Sequence, residues 1–122
     1  MKILDPGHRY EVAIYDGGES FARVIQFMKR VGDGYPGNAG PPYEGTNIQE
    51  VLRVLIDRVQ YLDGQISDKS NLMVIDDLRH ALRALELRAA RRHGRTPPEF
   101  RFDIENEPVC PKCGHIGCKE AT

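Results

Sequence analysis

The sequence predicts an α+β fold in which a small N-terminal antiparallel sheet precedes a long antiparallel helical hairpin and a short cysteine-rich tail. Three observations predict this: alternating apolar residues near the start, apolar residues at helical spacing in the middle, and clustered cysteines at the end. We expect one domain over 1–95, with strands in 1–31, a Gly/Pro-rich loop in 32–45 and the helical hairpin in 46–94. An acidic linker and the cysteine-rich tail follow in 96–122.

Two strands are predicted in the first thirty residues. Tyr10, Val12 and Ile14 alternate with other side chains, and Asp16-Gly17-Gly18 is a turn sequence. Residues 20–30 fit a face of either a helix or a strand. We favour the strand because a turn precedes this segment and a glycine-rich break follows it. The 32–45 loop contains five glycines and three prolines, which excludes a helix there.

The first helix of the predicted hairpin begins at Thr46-Asn47. Either side chain can cap it, and Thr46 followed by Gln49 matches a capping box. The helix is expected to end near Asp63-Gly64. Its apolar residues recur at spacings of three and four: Ile48, Val51, Leu52, Leu55, Ile56, Val59 and Leu62.

The second helix is expected to be capped by Ser70 or Asn71 and to end at Gly94. Its predicted core residues are Val74, Ile75, Leu78, Ala81, Leu82 and Leu85. Because the connection between the two helices is short, they are expected to pack antiparallel.

Charge is unevenly distributed along this 122-residue chain, whose formal net charge of -1 excludes a highly basic nucleic-acid coat protein. From Arg79 to Arg95 there are six arginines and one glutamate. Arg88 and Arg92 are four residues apart and therefore lie on one helix face. This pattern fits either a solvated basic surface or a pair of guanidinium groups that bind phosphate.

The tail contains Cys110, Cys113 and Cys118, with His115 between the last two. The Cys-x2-Cys spacing is typical of thiolates that bind one zinc ion. His115, His93 or another subunit could supply the fourth ligand. The tail is therefore predicted to hold a structural zinc, and the alternative is a metal-free tail. Clustered cysteines without a secretory signal also favour a reducing compartment, and no apolar run is long enough to span a membrane.

Residues 45–95 resemble the helical hairpin of phage nucleotide sponges, which include the Thoeris anti-defence and anti-CBASS proteins. The matching residues of the first helix are Gly45-Thr46-Asn47, Glu50-Val51-Leu52-Arg53, Leu55-Ile56-Asp57-Arg58 and Tyr61-Leu62. Those of the second helix are Asn71, Ile75, Leu78, Ala81-Leu82, Leu85, Arg88 and Arg92. The N-terminal strands and the loop favour the Thoeris anti-defence branch. The cysteine-rich tail departs from the pattern, as does Ala84, where relatives often have a bulky aromatic residue.

The resemblance implies a protein that sequesters an immune messenger in the cytoplasm of the infected bacterium without cleaving it. The messenger would be glycocyclic ADP-ribose or a cyclic di- or trinucleotide, bound between the subunits of a homo-oligomer built from dimers up to hexamers. The ligand-contacting positions of the Thoeris branch fall on Tyr61, Asn71, Arg88 and Arg92. Tyr61 would stack on a base, Asn71 would read an edge or a ribose hydroxyl, and the arginines would neutralise the diphosphate.

Further candidates, for the second wall of the pocket, are Arg53, Arg58 and the 32–45 loop. The start of the first helix at Thr46 and Asn47, which follows this loop, is also a candidate because backbone N–H groups there suit an anion. Two other functions compete with sequestration. One is a phosphodiesterase that uses the Cys/His cluster as its metal site, although the sequence has no paired-metal ligand set. The other is a nucleic-acid- or host-protein-binding phage module with a structural zinc tail.

Overall fold

The computed structural model describes residues 1–17, 23–31, 40–97, 99 and 101–118. It confirms the α+β class, with three strands followed by two packed helices. The chain forms two compact units, Met1–Ile48 and Gln49–Thr122.

The first unit contains an antiparallel sheet of three strands in the order β1-β2-β3. These are β1 (Lys2–Asp5), β2 (Arg9–Val12) and β3 (Arg23–Gln26). The strand predicted within residues 20–30 is confirmed by β3. The sequence prediction of two strands missed β1, which joins β2 through a tight turn where Gly7 has φ +77°. The predicted turn at 16–18 is described only for Asp16 and Gly17, and Asp16 is the residue with positive φ, at 59°.

The end of the Gly/Pro-rich loop is hydrogen-bonded to the chain that follows β3. Lys29 and Tyr43 exchange both backbone hydrogen bonds, at 2.9 and 3.2 Å, and the Met28 N–H donates to the Thr46 carbonyl at 3.1 Å. Gly45 lies directly against this backbone. A Cβ added at Gly45 would be 2.5 Å from the Gln26 carbonyl oxygen, so only glycine fits. Residues 32–39 of the loop lie outside the described residues.

A buried polar cluster holds this loop end on the sheet. Lys29 Nζ donates to Asp5 Oδ2 at 2.8 Å, and the Tyr43 hydroxyl donates to the same oxygen. The Lys29 hydrogen bond, followed by the Tyr43 hydrogen bond, keeps the pKa of Asp5 below its ordinary value. Burial, followed by the Asp5 hydrogen bond, raises the pKa of Tyr43. The Arg9 guanidinium lies 4.5 Å from the centre of the Tyr43 ring.

The second unit begins with two helices, α1 (Ile48–Gln65) and α2 (Lys69–Arg92). Because α1 begins at Ile48, Asn47 occupies the N-cap position. The predicted capping box of Thr46 and Gln49 is therefore one residue out of register. The Thr46 N–H donates to the Gln26 carbonyl at 2.9 Å instead.

The predicted N-cap of the second helix is wrong, whereas the predicted end of the helix at Gly94 is confirmed. Asp68, rather than Ser70 or Asn71, is the N-cap, and its side chain accepts from the Ser70 N–H at 2.7 Å. At the other end Gly94 has φ +62°, and the Arg95 N–H donates to the Ala90 carbonyl at 2.8 Å. This is the Schellman arrangement, in which a left-handed glycine ends the helix.

The tail packs on the hairpin within the same compact unit, although the sequence suggested a boundary at residue 95. A short 3-10 helix, η1 (Ile104–Asn106), places Ile104 in the core, and Ile116 follows further along the tail. The buried core of this unit consists of Ile56, Ile75, Leu82, Ile104 and Ile116. Three of the five residues come from the predicted helix stripes, and the tail supplies the other two.

Part of the predicted apolar stripe of α1 lies at the surface. Leu55 is 43% exposed and Leu62 is 40% exposed, beside Val54 at 62% and Tyr61 at 60%. On α2, Val74 is 43% exposed. Neither described helix is long and apolar enough to cross a membrane.

Replacing Gly45 with Ala is expected to destabilise the protein by about 2 kcal/mol or more, because the new Cβ would clash with backbone atoms that cannot move aside. Gly64 of α1 is the matched control, since a Cβ there meets no atom within 4 Å. Gly64→Ala should stabilise by roughly 0.5–1 kcal/mol through helix propensity. Chemical denaturation of both variants measures the two effects, and equal effects would contradict the close approach at Gly45.

Asp5→Asn is expected to remove an acid-dependent part of the stability of the first unit. Because the folded-state pKa of Asp5 is lowered, the carboxylate stabilises the fold above its unfolded pKa of about 3.9, and this contribution is lost as pH falls through the folded pKa. The Tm difference between wild type and variant should therefore be largest near neutral pH and shrink below about pH 4. Exposed Glu44→Gln is the control, and its difference should stay small throughout.

Candidate metal centre and ligand-binding residues

The three cysteines of the tail lie together in a tight loop. The sulfur atoms of Cys110, Cys113 and Cys118 are all within 4.8 Å of one another. The loop is closed by a Gly114 N–H that donates to the Cys110 carbonyl at 2.8 Å and by a Cys110 N–H that donates to the His115 carbonyl at 3.1 Å. Sulfurs around a tetrahedral zinc ion are separated by about 3.8 Å, so this cluster could hold a structural metal such as zinc after a small contraction.

The surroundings of the sulfurs differ in a way that suits metal binding. Backbone N–H groups of Cys113 and Lys112 keep the pKa of Cys110 below its ordinary value, and the Lys112 nitrogen is 3.4 Å from Cys110 Sγ. Burial raises the pKa of the Cys113 thiol to about 11. The backbone N–H groups thus favour the thiolate form of Cys110, whereas burial disfavours the thiolate form of Cys113.

The structure places His115 beside the hairpin rather than among the sulfurs. Its Nδ1 atom is 3.0 Å from Gln49 Nε2 and 3.6 Å from Glu86 Oε2. Among the described residues, the sulfur group does not include a nitrogen of His115 or of His93. The two histidine rings are neighbours, with centroids 6.2 Å apart.

Glu86 is a buried carboxylate at the centre of the second unit, and in the sequence it stands out only as the one acidic residue among the arginines of 79–95. Its side chain is 1% exposed. Its Oε2 accepts from the Ile116 N–H at 3.1 Å, and its Oε1 is 3.5 Å from Arg53 Nη2. One signal could have revealed it, because Glu86 is four residues after Leu82 and so falls on the buried face of α2.

The additional pocket-wall candidates fall in different places. The Arg53 side chain is 11% exposed and lies near both Glu50 and Glu86, so it belongs to the interior of the second unit. Arg58 is exposed on α1. Thr46 and Asn47 are in the first unit, immediately before α1, where the Thr46 backbone is paired with the chain after β3.

Tyr61 and Asn71 lie at the turn end of the hairpin. Tyr61 is 60% exposed, one turn before α1 ends. Asn71 Nδ2 donates to Asp63 Oδ1 at 3.2 Å, and the same oxygen accepts from the Asp68 N–H at 3.0 Å. Asp63 also lines a cleft of about 560 Å³ between the two helices and the exposed Phe102 ring.

Arg88 and Arg92 lie at the opposite, open end of the hairpin, and both are exposed. At 1.5 Å per residue, Arg88 is about 25 Å along the helix axis from Asn71. Arg79, the first arginine of the basic stretch, is used internally. Its Nε donates to both oxygens of Glu105, at 2.8 and 2.9 Å, and its guanidinium lies 4.3 Å from the centre of the Phe102 ring.

The chain was compared with protein-family models, curated proteins and solved structures, and no match was found in any of the three comparisons.

Proposed function

We propose that the protein is a phage anti-defence sponge that sequesters a cyclic nucleotide messenger, such as glycocyclic ADP-ribose, in the cytoplasm of the infected bacterium without cleaving it. The carrying observation is the helical hairpin, which presents an exposed aromatic residue and an anchored Asn71 at one end and two exposed arginines at the other. These are the residue types that stack on a base, read its polar edge and neutralise phosphates.

If both ends of the hairpin contact one ligand, as this proposal has it, that ligand is shared between chains. Asn71 and Arg88 of one chain are about 25 Å apart along α2, which is much longer than a cyclic dinucleotide. An antiparallel neighbour would bring its arginine end to the Tyr61 end of the first chain. The exposed apolar side chains of α1, Val54, Leu55 and Leu62, offer a surface for such a neighbour. This supports a homo-oligomer built from dimers.

The tail has a separate, structural part in this proposal, which is to hold zinc through Cys110, Cys113 and Cys118. The fourth ligand would be His115, His93 or a residue of another subunit. The support is the cluster of three sulfurs within 4.8 Å and the N–H groups around Cys110. Zinc in such a site stabilises the fold and takes no part in chemistry on the messenger.

Replacing both Arg88 and Arg92 with Ala should weaken binding of glycocyclic ADP-ribose by on the order of 100-fold, because two charge-assisted contacts to the diphosphate are lost. Isothermal titration measures the change. Lys69→Ala with Arg91→Ala removes the same net charge from exposed positions of α2 and should change binding little. Denaturing the complex should release intact messenger, whereas a cleaved product would identify an enzyme.

The same titration is extended to cyclic di- and trinucleotides, and absence of binding to every one of these probes would contradict sequestration. A mobility shift with DNA or RNA that weakens steeply with salt would instead favour the nucleic-acid-binding module.

Mixing two inactive variants should restore binding if the ligand is shared between chains. Tyr61→Ala and the Arg88→Ala, Arg92→Ala double variant each damage a different end of the hairpin. After subunit exchange in a 1:1 mixture, about a quarter of the sites in dimers should combine two intact ends. Titration of each variant alone and of the mixture provides the comparison. If the mixture binds no more than its components, each site lies within one chain.

The purified protein should bind about one zinc ion per chain, as measured by native mass spectrometry. Cys110→Ser should abolish this binding because it removes one of the three clustered sulfur ligands, the one that is buried. Adding Ser67→Cys to this variant restores the total of three thiols, with the added one outside the cluster, and should not restore binding. Zinc that stays bound in Cys110→Ser would exclude the proposed ligand set.

A further inference from the structure

We infer that Glu86, a residue of the helical hairpin, sets the metal affinity of the tail, so that metal binding and docking of the tail on the hairpin stabilise each other. This inference rests on the zinc proposal and is independent of messenger binding. Glu86 is a positioning residue, since it lies outside the group of three sulfurs and contacts the loop between Cys113 and Cys118.

The first step is that the hairpin holds the tail at two separate points. Nearer the start of the tail, both carboxylate oxygens of Glu105 accept hydrogen bonds from Arg79. The neighbouring Ile104 side chain lies in the core and is 1% exposed. Further along, the Ile116 N–H donates to Glu86. Arg79 and Glu86 are seven residues apart on α2, so both points lie on the same face of the helix.

The second step is that the point at Glu86 depends on the shape of the metal loop. Ile116 and His115 follow Cys113 within three residues, and the Val109–Ile116 bridge closes the loop across the cysteines. Gly114 and Gly117 both have positive φ, at 70° and 74°, which is a conformation that a free chain visits only part of the time. Metal bonds to Cys113 and Cys118 would fix the segment between them and hold the Ile116 N–H in place.

The third step is that displacing this segment would remove the contacts that the tail makes to the Glu86 carboxylate. Its carboxylate is 1% exposed, and the contacts on its Oε2 side come from the tail, namely the Ile116 N–H at 3.1 Å and His115 Nδ1 at 3.6 Å. A buried carboxylate that has lost its hydrogen bond is strongly disfavoured. If this segment were displaced, the whole loop would therefore leave Glu86, and water would take the place of the loop at the carboxylate. The contact of Arg79 with Glu105 does not involve this loop and would persist.

Coupling of this kind is reciprocal, because any interaction that favours the docked loop also favours the metal-bound loop. Glu86→Gln should therefore weaken zinc binding on the order of tenfold, although position 86 is 24 residues before the first cysteine. Competition with a chromophoric zinc chelator measures the affinity of the full-length protein. Asp57→Asn, at an exposed position of the other helix, is the matched control and should leave the affinity unchanged.

Gln49→Ala provides a second variant if Glu86→Gln fails to fold, since Gln49 Nε2 is 3.0 Å from His115 Nδ1 on the α1 side of the same loop. It is likewise expected to weaken zinc binding several-fold. A folded variant at either position that binds zinc as tightly as wild type would overturn the coupling. Failure of the wild-type protein to bind zinc would overturn both the coupling and the zinc proposal, while leaving messenger sequestration to its own titration.

Hydrogen exchange tests the other direction of the coupling. Removing zinc with a chelator should speed exchange of the Ile116 amide at least tenfold, whereas the Asn106 amide in η1 and the Glu107 amide directly after it should change little. Uniform deprotection of the whole tail, or an Ile116 amide indifferent to zinc, would contradict the assignment of two separate anchor points.

Discussion

One buried carboxylate joins the three parts of the second unit. Glu86 is the point at which α1, α2 and the tail meet, through Arg53 on one side and the Ile116 N–H on the other. A buried charge is tolerated only when its partners are held in place, so it penalises any arrangement in which a segment moves away. Hydrophobic burial of Ile56, Ile75 and Leu82 drives the packing of the two helices on each other. Glu86 restricts which arrangement of the helices and the tail is stable.

Several arginines are paired within the second unit. The Arg79 guanidinium donates to Glu105, and Arg53 lies between Glu50 and Glu86, so these arginines belong to the packing of the unit. Arg88 and Arg92 differ in position, because both are exposed at the open end of the hairpin. Within the basic stretch, Arg79 therefore contributes to the fold, whereas Arg88 and Arg92 are the residues that the proposed function assigns to an anionic ligand.

Local features of the sequence were predictable, and long-range pairings were not. The helices follow from apolar spacing and Gly94 ends the second one as expected, because these signals involve residues within a few turns of each other. Asp68 was missed as N-cap because Ser70 and Asn71 compete with it in sequence. The Asp5–Tyr43 hydrogen bond joins residues 38 positions apart, and Arg53 and Glu86 are separated by 33. No local pattern identifies such partners, so the tail was predicted as an appendage rather than as part of the core.

The metal cluster and the ligand-binding residues were predictable to different extents for a related reason. Cysteines that are eight residues apart or fewer are close in space because they are close in sequence. Contact of Tyr61 and Arg88 with one ligand, as proposed, would instead depend on how complete helices are arranged. One hairpin holds those two residues at opposite ends, and the helix is rigid over that distance. In the proposed homo-oligomer, a neighbouring chain would cover the exposed apolar side chains of α1 and bring its own arginines to Tyr61. Under that proposal a chain this small would gain a nucleotide-sized site by association, and the stability of the hairpin would limit how well the two halves of that site can be aligned.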